Sequence, residues 1–124
     1  MKQVISTTGA PSAIGPYSQG IDTGSLIFTS GQLPLNPENG NLETSIEEAT
    51  RQSLENVKAV LEQAGATLEQ VVKCTFFLKD LNDFAAMNSV YAEFFTEICT
   101  ARSCFQVAKL PMDALVEIEA IAVK

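Results

Sequence analysis

Histidine is absent from the 124 residues of this chain, and so is tryptophan. Without an imidazole, Ser–His and Cys–His catalysis and ordinary mixed His/Cys zinc sites are excluded, unless another polypeptide supplies the ring. Cysteine is scarce. Cys74, Cys99 and Cys104 are an odd number without the spacing of a disulfide framework, which suits a reducing compartment and points to the cytoplasm. Basic residues are few as well: eight Lys and Arg stand against fifteen Asp and Glu, for a formal net charge of −7, and they form no run. Phosphate backbones attract clustered cations, so nucleic acid is a poor partner for such a chain. No stretch approaches the roughly 18 to 20 apolar residues of a membrane-spanning helix. The start, Met1-Lys2-Gln3-Val4-Ile5-Ser6, lacks the apolar core and small-residue cleavage site of a signal peptide.

What is present reads as an ordinary globular chain. Hydrophobic residues make up 46% and charged residues 19%, and the length fits one domain, 1–124, around one core. Lys2–Ile5, Tyr17–Asp22 and Leu26–Thr29 are β-type runs, the last two joined by the hairpin signal Asp22-Thr23-Gly24-Ser25. Ser45 and Glu48 fit a capping box. Ile46, Ala49, Ser53, Leu54, Val57, Val60, Leu61 and Ala64 then repeat at helical spacing, and Gly65 fits the stop. From Val71 to Leu78 the period changes to two, with Val72, Cys74, Phe76 and Leu78 on one face. Asn82 or Asp83 caps a second helix, whose stripe of Phe84, Met87, Val90, Tyr91, Phe94, Phe95 and Ile98 runs to a stop near Cys99. Two further strands, around Ala101–Leu110 and Leu115–Val123, flank a connection marked by Pro111 and Asp113.

The order β-β-β-α-β-α-β-β predicts an α/β (α+β) fold: one mixed sheet with two helices packed on one face. The final strand is apolar on both sides, however, since Val116, Ile118, Ala120 and Ala122 alternate with Leu115, Ile121 and Val123. A lone chain would leave the helix-free face wet, which predicts a homo-oligomer of closed cyclic symmetry sealed by that face.

Several residues invite chemistry. Arg102 opens an apolar strand and shares a face with Cys104; it is either a surface charge or a fork that grips a carboxylate through two parallel hydrogen bonds. Cys104 is either a small core residue or a thiol whose pKa Arg102 lowers. Glu117 and Glu119 share a face of the next strand. Either they are the outward residues of a half-exposed strand, or an oligomer encloses one of them. In the second case burial pushes its pKa up and Arg102 pulls it down, leaving an acid fit for proton transfer. Gly31, after Ser30, lets a ligand approach the backbone N–H. Tyr17 and Asn88 read equally well as a packed ring and a surface amide.

Five blocks now carry a resemblance. They are Ala13-Ile14-Gly15-Pro16-Tyr17-Ser18-Gln19-Gly20, Ser30-Gly31-Gln32-Leu33-Pro34, the helical run Arg51–Val60, Lys79-Asp80-Leu81-Asn82-Asp83-Phe84, and Ala101-Arg102-Ser103-Cys104 with Val116-Glu117-Ile118-Glu119. In this order they resemble the RidA/YjgF family of reactive-intermediate imine deaminases over essentially the whole chain. The resemblance implies a chorismate-mutase-like fold, a homotrimer and active clefts between subunits. It further implies that Arg102 binds the substrate carboxylate with help from the backbone at Gly31 and Cys104. Glu117 would activate the hydrolytic water, while Tyr17, Ser30 and Asn88 line the cleft, Tyr17 coming from a neighbouring subunit. The implied substrates are 2-imino acids derived from 2-aminoacrylate and 2-aminocrotonate, with no cofactor and no metal. Roles as a 2-keto acid-binding regulator, an endoribonuclease or translation inhibitor, or a chaperone are the rivals. Thr100 departs from the family pattern, which usually has proline before Ala-Arg-Ser, and Gln106, Lys109 and Met112 also differ from the residues common in relatives.

Overall fold

A computed structural model describes residues 2–124. Three strands open the chain: β1 (Gln3–Ile5), β2 (Gly20–Asp22) and β3 (Leu26–Thr29). Helix α1 (Ile46–Gln63), strand β4 (Val71–Leu78), helix α2 (Phe84–Phe94) and strands β5 (Ala101–Gln106) and β6 (Val116–Val123) follow, in the order expected. The strands form one sheet, β1-β2-β3-β6-β4-β5. Only β4 and β5 run parallel, because α2 lies between them and a parallel pair needs a crossover of about a dozen residues or more. The other neighbours pair antiparallel.

Strand β6 sits inside the sheet between β3 and β4. Its Val116, Ile118, Ala120 and Ala122 are buried beneath the helices, whereas Glu117, Glu119 and Ile121 point to the other side and are half-buried. Helix α1 presents Ala49, Ser53, Leu54, Val57, Val60 and Leu61 to that core, as its periodicity predicts. Its capping box is half made: Ser45 accepts the Glu48 N–H, but the Glu48 carboxylate goes to Arg51 at 2.6 Å. Gly65, with φ of +84°, ends the helix.

Four expectations need correction. A bulge between Val71 and Lys73 shifts the register of β4, so Val71 is buried and Val72 is turned outward, 43% exposed. Helix α2 stops at Phe94, short of Cys99, because Phe95 leaves helical backbone geometry and packs its ring on Tyr91 at 4.7 Å. Ile98 is consequently outside the stripe and 90% exposed. Neither Asn82 nor Asp83 caps α2 with its side chain; Asp80 instead accepts the Asn82 N–H at 2.8 Å and caps a short 3-10 turn, Leu81–Asp83, ahead of the helix. Strand β2 also begins later than Tyr17. Gln19 is buried and donates to the carbonyls of Thr7, Ala10 and Pro11, which holds 17–19 in a loop.

The face of the sheet away from the helices carries Val4, Phe28, Phe105 and Val123, each exposed. Phe105 stacks on Phe77 at 6.4 Å on the same face. The loop after β3 is fastened to the helical layer by one amide. Asn56 is fully buried on α1, donates to Leu33 O at 3.1 Å and Leu35 O at 2.9 Å, and accepts from Gln52 at 2.9 Å. Asn56→Ala strips two carbonyls of that donor, and leaving a buried polar group unpaired costs about 1–3 kcal/mol. Urea denaturation of the variant is expected to show a loss of that size. A loss below about 0.5 kcal/mol, the range of an ordinary surface change, contradicts the anchoring role.

Candidate active site

Gln32 leaves the end of β3 and bridges back to β6, its N–H donating to Ile118 O at 2.7 Å and its carbonyl accepting from Ile118 N–H at 3.1 Å. This bridge lays Gly31 directly on Glu117. A Cβ at residue 31 would fall 2.7 Å from Glu117 Cδ and 2.8 Å from Oε2, so the glutamate keeps its position only because that side chain is missing. Ser30 donates its hydroxyl to Ser18 O at 2.5 Å and its N–H to Gln19 O at 2.8 Å, tying the Tyr17 loop to the same corner. Tyr17, Ser30, Gly31 and Glu117 therefore line one open cleft of about 460 Å³, with Ile14 and Met112 as apolar walls. Met112 and Asp113 hold left-handed backbone, φ 59° and 55°, and the Asp113 carboxylate is anchored by Lys79 Nζ at 2.9 Å.

The Glu117 carboxyl lies above the ordinary glutamate value, first because it is half-buried and second because Glu119 stands on the same strand face. The lowering expected from Arg102 is absent within one chain.

Arg102 lies elsewhere. Its guanidinium donates from Nη1 to Asn88 Oδ1 at 2.6 Å and sits over three rings, at 4.7 Å from the centroid of Tyr91, 5.3 Å from Phe84 and 6.0 Å from Phe76. Cationic guanidinium over aromatic faces is a favourable contact, and one amide acceptor leaves further N–H donors of the fork unspent. A second open cavity, about 420 Å³, is lined by Asn88, Tyr91, Thr100 and Arg102. Cys104 is half-buried on the same strand face, opposite Phe76; burial outweighs Arg102 and raises its thiol pKa, which favours the reading as a small packed residue over the thiolate. Cys74, paired with Arg102 in the sheet, is buried and pushed up to about 11.

The seven candidate residues thus fall into two groups. Tyr17, Ser30, Gly31 and Glu117 meet at one cleft; Asn88 and Arg102 meet at the other, with Cys104 on its strand. The picture of Arg102 beside a carboxylate from the neighbouring strand is corrected: β4 lies between β5 and β6. The register sets Arg102, Cys74 and Ala120 on the helix side, opposite to Glu117 and Glu119. Two strand spacings separate the backbones by about 9.5 Å, and the two side chains then point apart. In one chain they cannot hold one small molecule.

Sequence reasoning missed Asn56, Gln32 and Tyr91 as supports of these clefts. Asn56 had a signal, since it is a polar residue at a buried position of the α1 period. The bridge through Gln32 is backbone geometry and leaves no mark in side-chain type. Of the four departures from the family pattern, Thr100 meets Tyr91 hydroxyl to hydroxyl at 2.5 Å, Gln106 accepts the Leu81 N–H at 2.9 Å, and Met112 walls the Glu117 cleft. Lys109 is exposed, and nothing in the structure explains it.

A family model described as endoribonuclease L-PSP matches residues 7–124. The chain is 53% identical over 127 aligned positions to the 2-iminobutanoate/2-iminopropanoate deaminase of Escherichia coli K12, covering 100% of this chain and 99% of the relative. It is 54% identical to a RutC family protein of Pyrococcus horikoshii, covering 100% and 99%. Among solved structures, E. coli TdcF with bound serine superposes with a TM-score of 0.96 at 50% identity, covering 98% of both chains. The E. coli YjgF gene product gives a TM-score of 0.96 at 51% identity and the same coverage.

The environment of Glu117 is testable without any substrate. Followed by ¹³C NMR of its carboxyl carbon in the Arg102→Ala background, where only burial and Glu119 act on it, Glu117 is expected to titrate above the ordinary glutamate midpoint of about 4.3. Glu119→Gln removes the second cause of the rise and should move the midpoint down. A midpoint at or below the ordinary value in the Arg102→Ala background contradicts the enclosed position.

Proposed function

The chain belongs to the RidA/YjgF family, and from that premise we propose that it hydrolyses reactive 2-imino acids to 2-keto acids and ammonia. The substrates are those formed from 2-aminoacrylate and 2-aminocrotonate, the reaction uses no cofactor or metal, and the protein acts in metabolite damage control. The working form is a closed homotrimer in which the Glu117 cleft of one copy receives the Arg102 edge of the next. The observation that carries this reading is the half-buried Glu117 held on Gly31, in a chain with a full-length relative named for the deaminase activity. The apolar helix-free face and the division of the candidate residues into two open clefts favour assembly from copies of this chain. Three free thiols fit a reducing, cytoplasmic setting.

In this reading the free N–H donors of Arg102 grip the substrate carboxylate as a fork, and Asn88 and the three rings keep the fork in place. A water rests between Glu117 and the imine carbon. As its oxygen bonds to C2 of the protonated imine, Glu117 takes a proton and the C=N electron pair moves onto nitrogen, giving a neutral carbinolamine. Glu117 returns the proton to nitrogen, the C–N bond breaks and ammonia leaves, and the remaining hydroxyl closes to the carbonyl as its proton passes to Glu117 and on to solvent. One water enters and one ammonia leaves with no change of oxidation state. Positioning and a single acid–base each supply rate factors of roughly 10² or more, sufficient for a reaction that water already performs slowly. Burial and Glu119 raise the Glu117 carboxyl, the Arg102 edge of the next copy opposes that rise, and the rate should climb as pH rises through the resulting midpoint, where the carboxylate base appears. The serine bound in the TdcF structure supports a carboxylate site of this size, since serine differs from 2-aminoacrylate by one water.

Net charge of −7 and the absence of a basic run oppose the endoribonuclease reading that the family description raises. The binding-only and chaperone readings differ from ours in a direct assay. With 2-aminoacrylate generated in situ by a serine or threonine dehydratase, wild type should speed keto-acid and ammonia release. Arg102→Ala and Glu117→Gln should each lose at least about 10²-fold. Identical curves with wild type and Arg102→Ala contradict the assignment.

A further inference from the structure

The hydroxyls of Tyr91 and Thr100 have no part in the roles assigned above, yet they meet beside the group on which carboxylate binding rests. Tyr91 is 6% exposed, and its ring carries the guanidinium of Arg102 at the shortest of the three ring distances, 4.7 Å. That ring is fixed on both sides, edge-on to Phe76 at 5.3 Å and tilted on Phe95 at 4.7 Å. Its hydroxyl meets the hydroxyl of Thr100 at 2.5 Å. Thr100 stands immediately before β5, two positions ahead of Arg102, so this contact ties the entry of the strand to the helix that stacks its arginine. The Tyr91 hydroxyl thus holds the end of the 95–100 connection against α2, while the neighbouring Ile98 and Cys99 are exposed.

We propose that the Tyr91–Thr100 hydroxyl pair is a latch that positions Arg102, holding strand β5 and the aromatic shelf in register so that the guanidinium is preorganised for a carboxylate. The inference rests on the deaminase reading for its consequence but not for its geometry. An arginine side chain free to rotate gives up side-chain entropy on binding, and the latch removes part of that cost before the substrate arrives. Tyr91 and Thr100 are positioning residues, since they act through Arg102. Burial raises the Tyr91 phenol above its ordinary value, so it remains a neutral hydroxyl at working pH and the pair stays intact. Because the carboxylate is held alike in the ground and transition states, loosening the fork should weaken binding with little effect on turnover.

The test compares Tyr91→Phe and Thr100→Val, which keep ring and shape but remove one hydroxyl each, with Thr100→Ser, which keeps it. Three readouts are taken: KM and kcat for 2-aminoacrylate, the Kd of pyruvate by titration, and the Arg102 Nε–H signal by NMR in the ligand-free protein. In Tyr91→Phe and Thr100→Val, KM and Kd are expected to rise about 5- to 10-fold with kcat within about twofold. The Arg102 Nε–H signal should broaden in both. Thr100→Ser should stay within about twofold of wild type with a sharp signal, and the double variant Tyr91→Phe/Thr100→Val should be no worse than either single change, because the two hydroxyls form one contact. An unaltered Nε–H signal in both removal variants overturns the latch, as does a Thr100→Ser protein as impaired as Thr100→Val. If wild type neither turns over the imine nor binds pyruvate, the deaminase reading fails, and the Nε–H signal by itself still decides for or against the latch.

Discussion

Side chains of a β-strand alternate between the two faces of the sheet, and here that alternation sets Glu117 and Arg102 back to back. Glu117 shares its face with Glu119 on β6, while Arg102 lies on the helix side of β5, with β4 between the two strands. No rotamer change brings them together, because a strand side chain changes face only by a one-residue slip, and the side of β6 opposite Glu117 is fully buried. Val116, Ile118, Ala120, Cys74 and Phe76 pin that register from the core. The acid and the guanidinium can serve one substrate only if a second copy supplies one of them. The proposed trimer follows from this constraint as much as from the exposed apolar face.

Each half is built by different means. The Glu117 half depends on an absence, the missing Cβ of Gly31, and on the backbone bridge between Gln32 and Ile118. Asn56 fastens the far end of the same loop to α1, and Ser30 fastens its near end to the Tyr17 loop. The Arg102 half depends on stacking: a cation laid on three rings, with a single amide acceptor. One cleft places a desolvated acid and the other a preoriented cation, and an acidic protein needs such a local cation to draw in an anionic substrate.

Much of the fold was legible in the chain. Strict period-two and period-3.6 patterns marked β4, β6 and α1, and Gly65 marked a real helix stop. The failures have local causes. A bulge broke the alternation at Val71–Val72, where both residues are valine and the sequence offers no contrast. Helix α2 lost its last turn because the Phe95 ring gains more by packing on Tyr91 than by extending the helix past an acidic, exposed segment. The candidate residues and clefts between subunits came from the family resemblance, but which residues of one chain share a cleft did not. That depends on β6 entering the sheet between β3 and β4, and strand order is a long-range property that no local pattern encodes. Thr100 illustrates the remainder. Where the family pattern usually has proline, it makes a hydroxyl contact with Tyr91 that no local pattern announces.

Mixing tests the central claim most directly. Arg102→Ala and Glu117→Gln chains, each nearly inactive alone, are unfolded together in equal amounts and refolded. If each active cleft takes its guanidinium from one copy and its acid from the next, random assembly pairs the two intact halves at about a quarter of the seams in a cyclic oligomer. Deaminase activity should return to about that fraction of the wild-type level. A mixed preparation that assembles normally but stays as inactive as its parents would contradict the shared cleft.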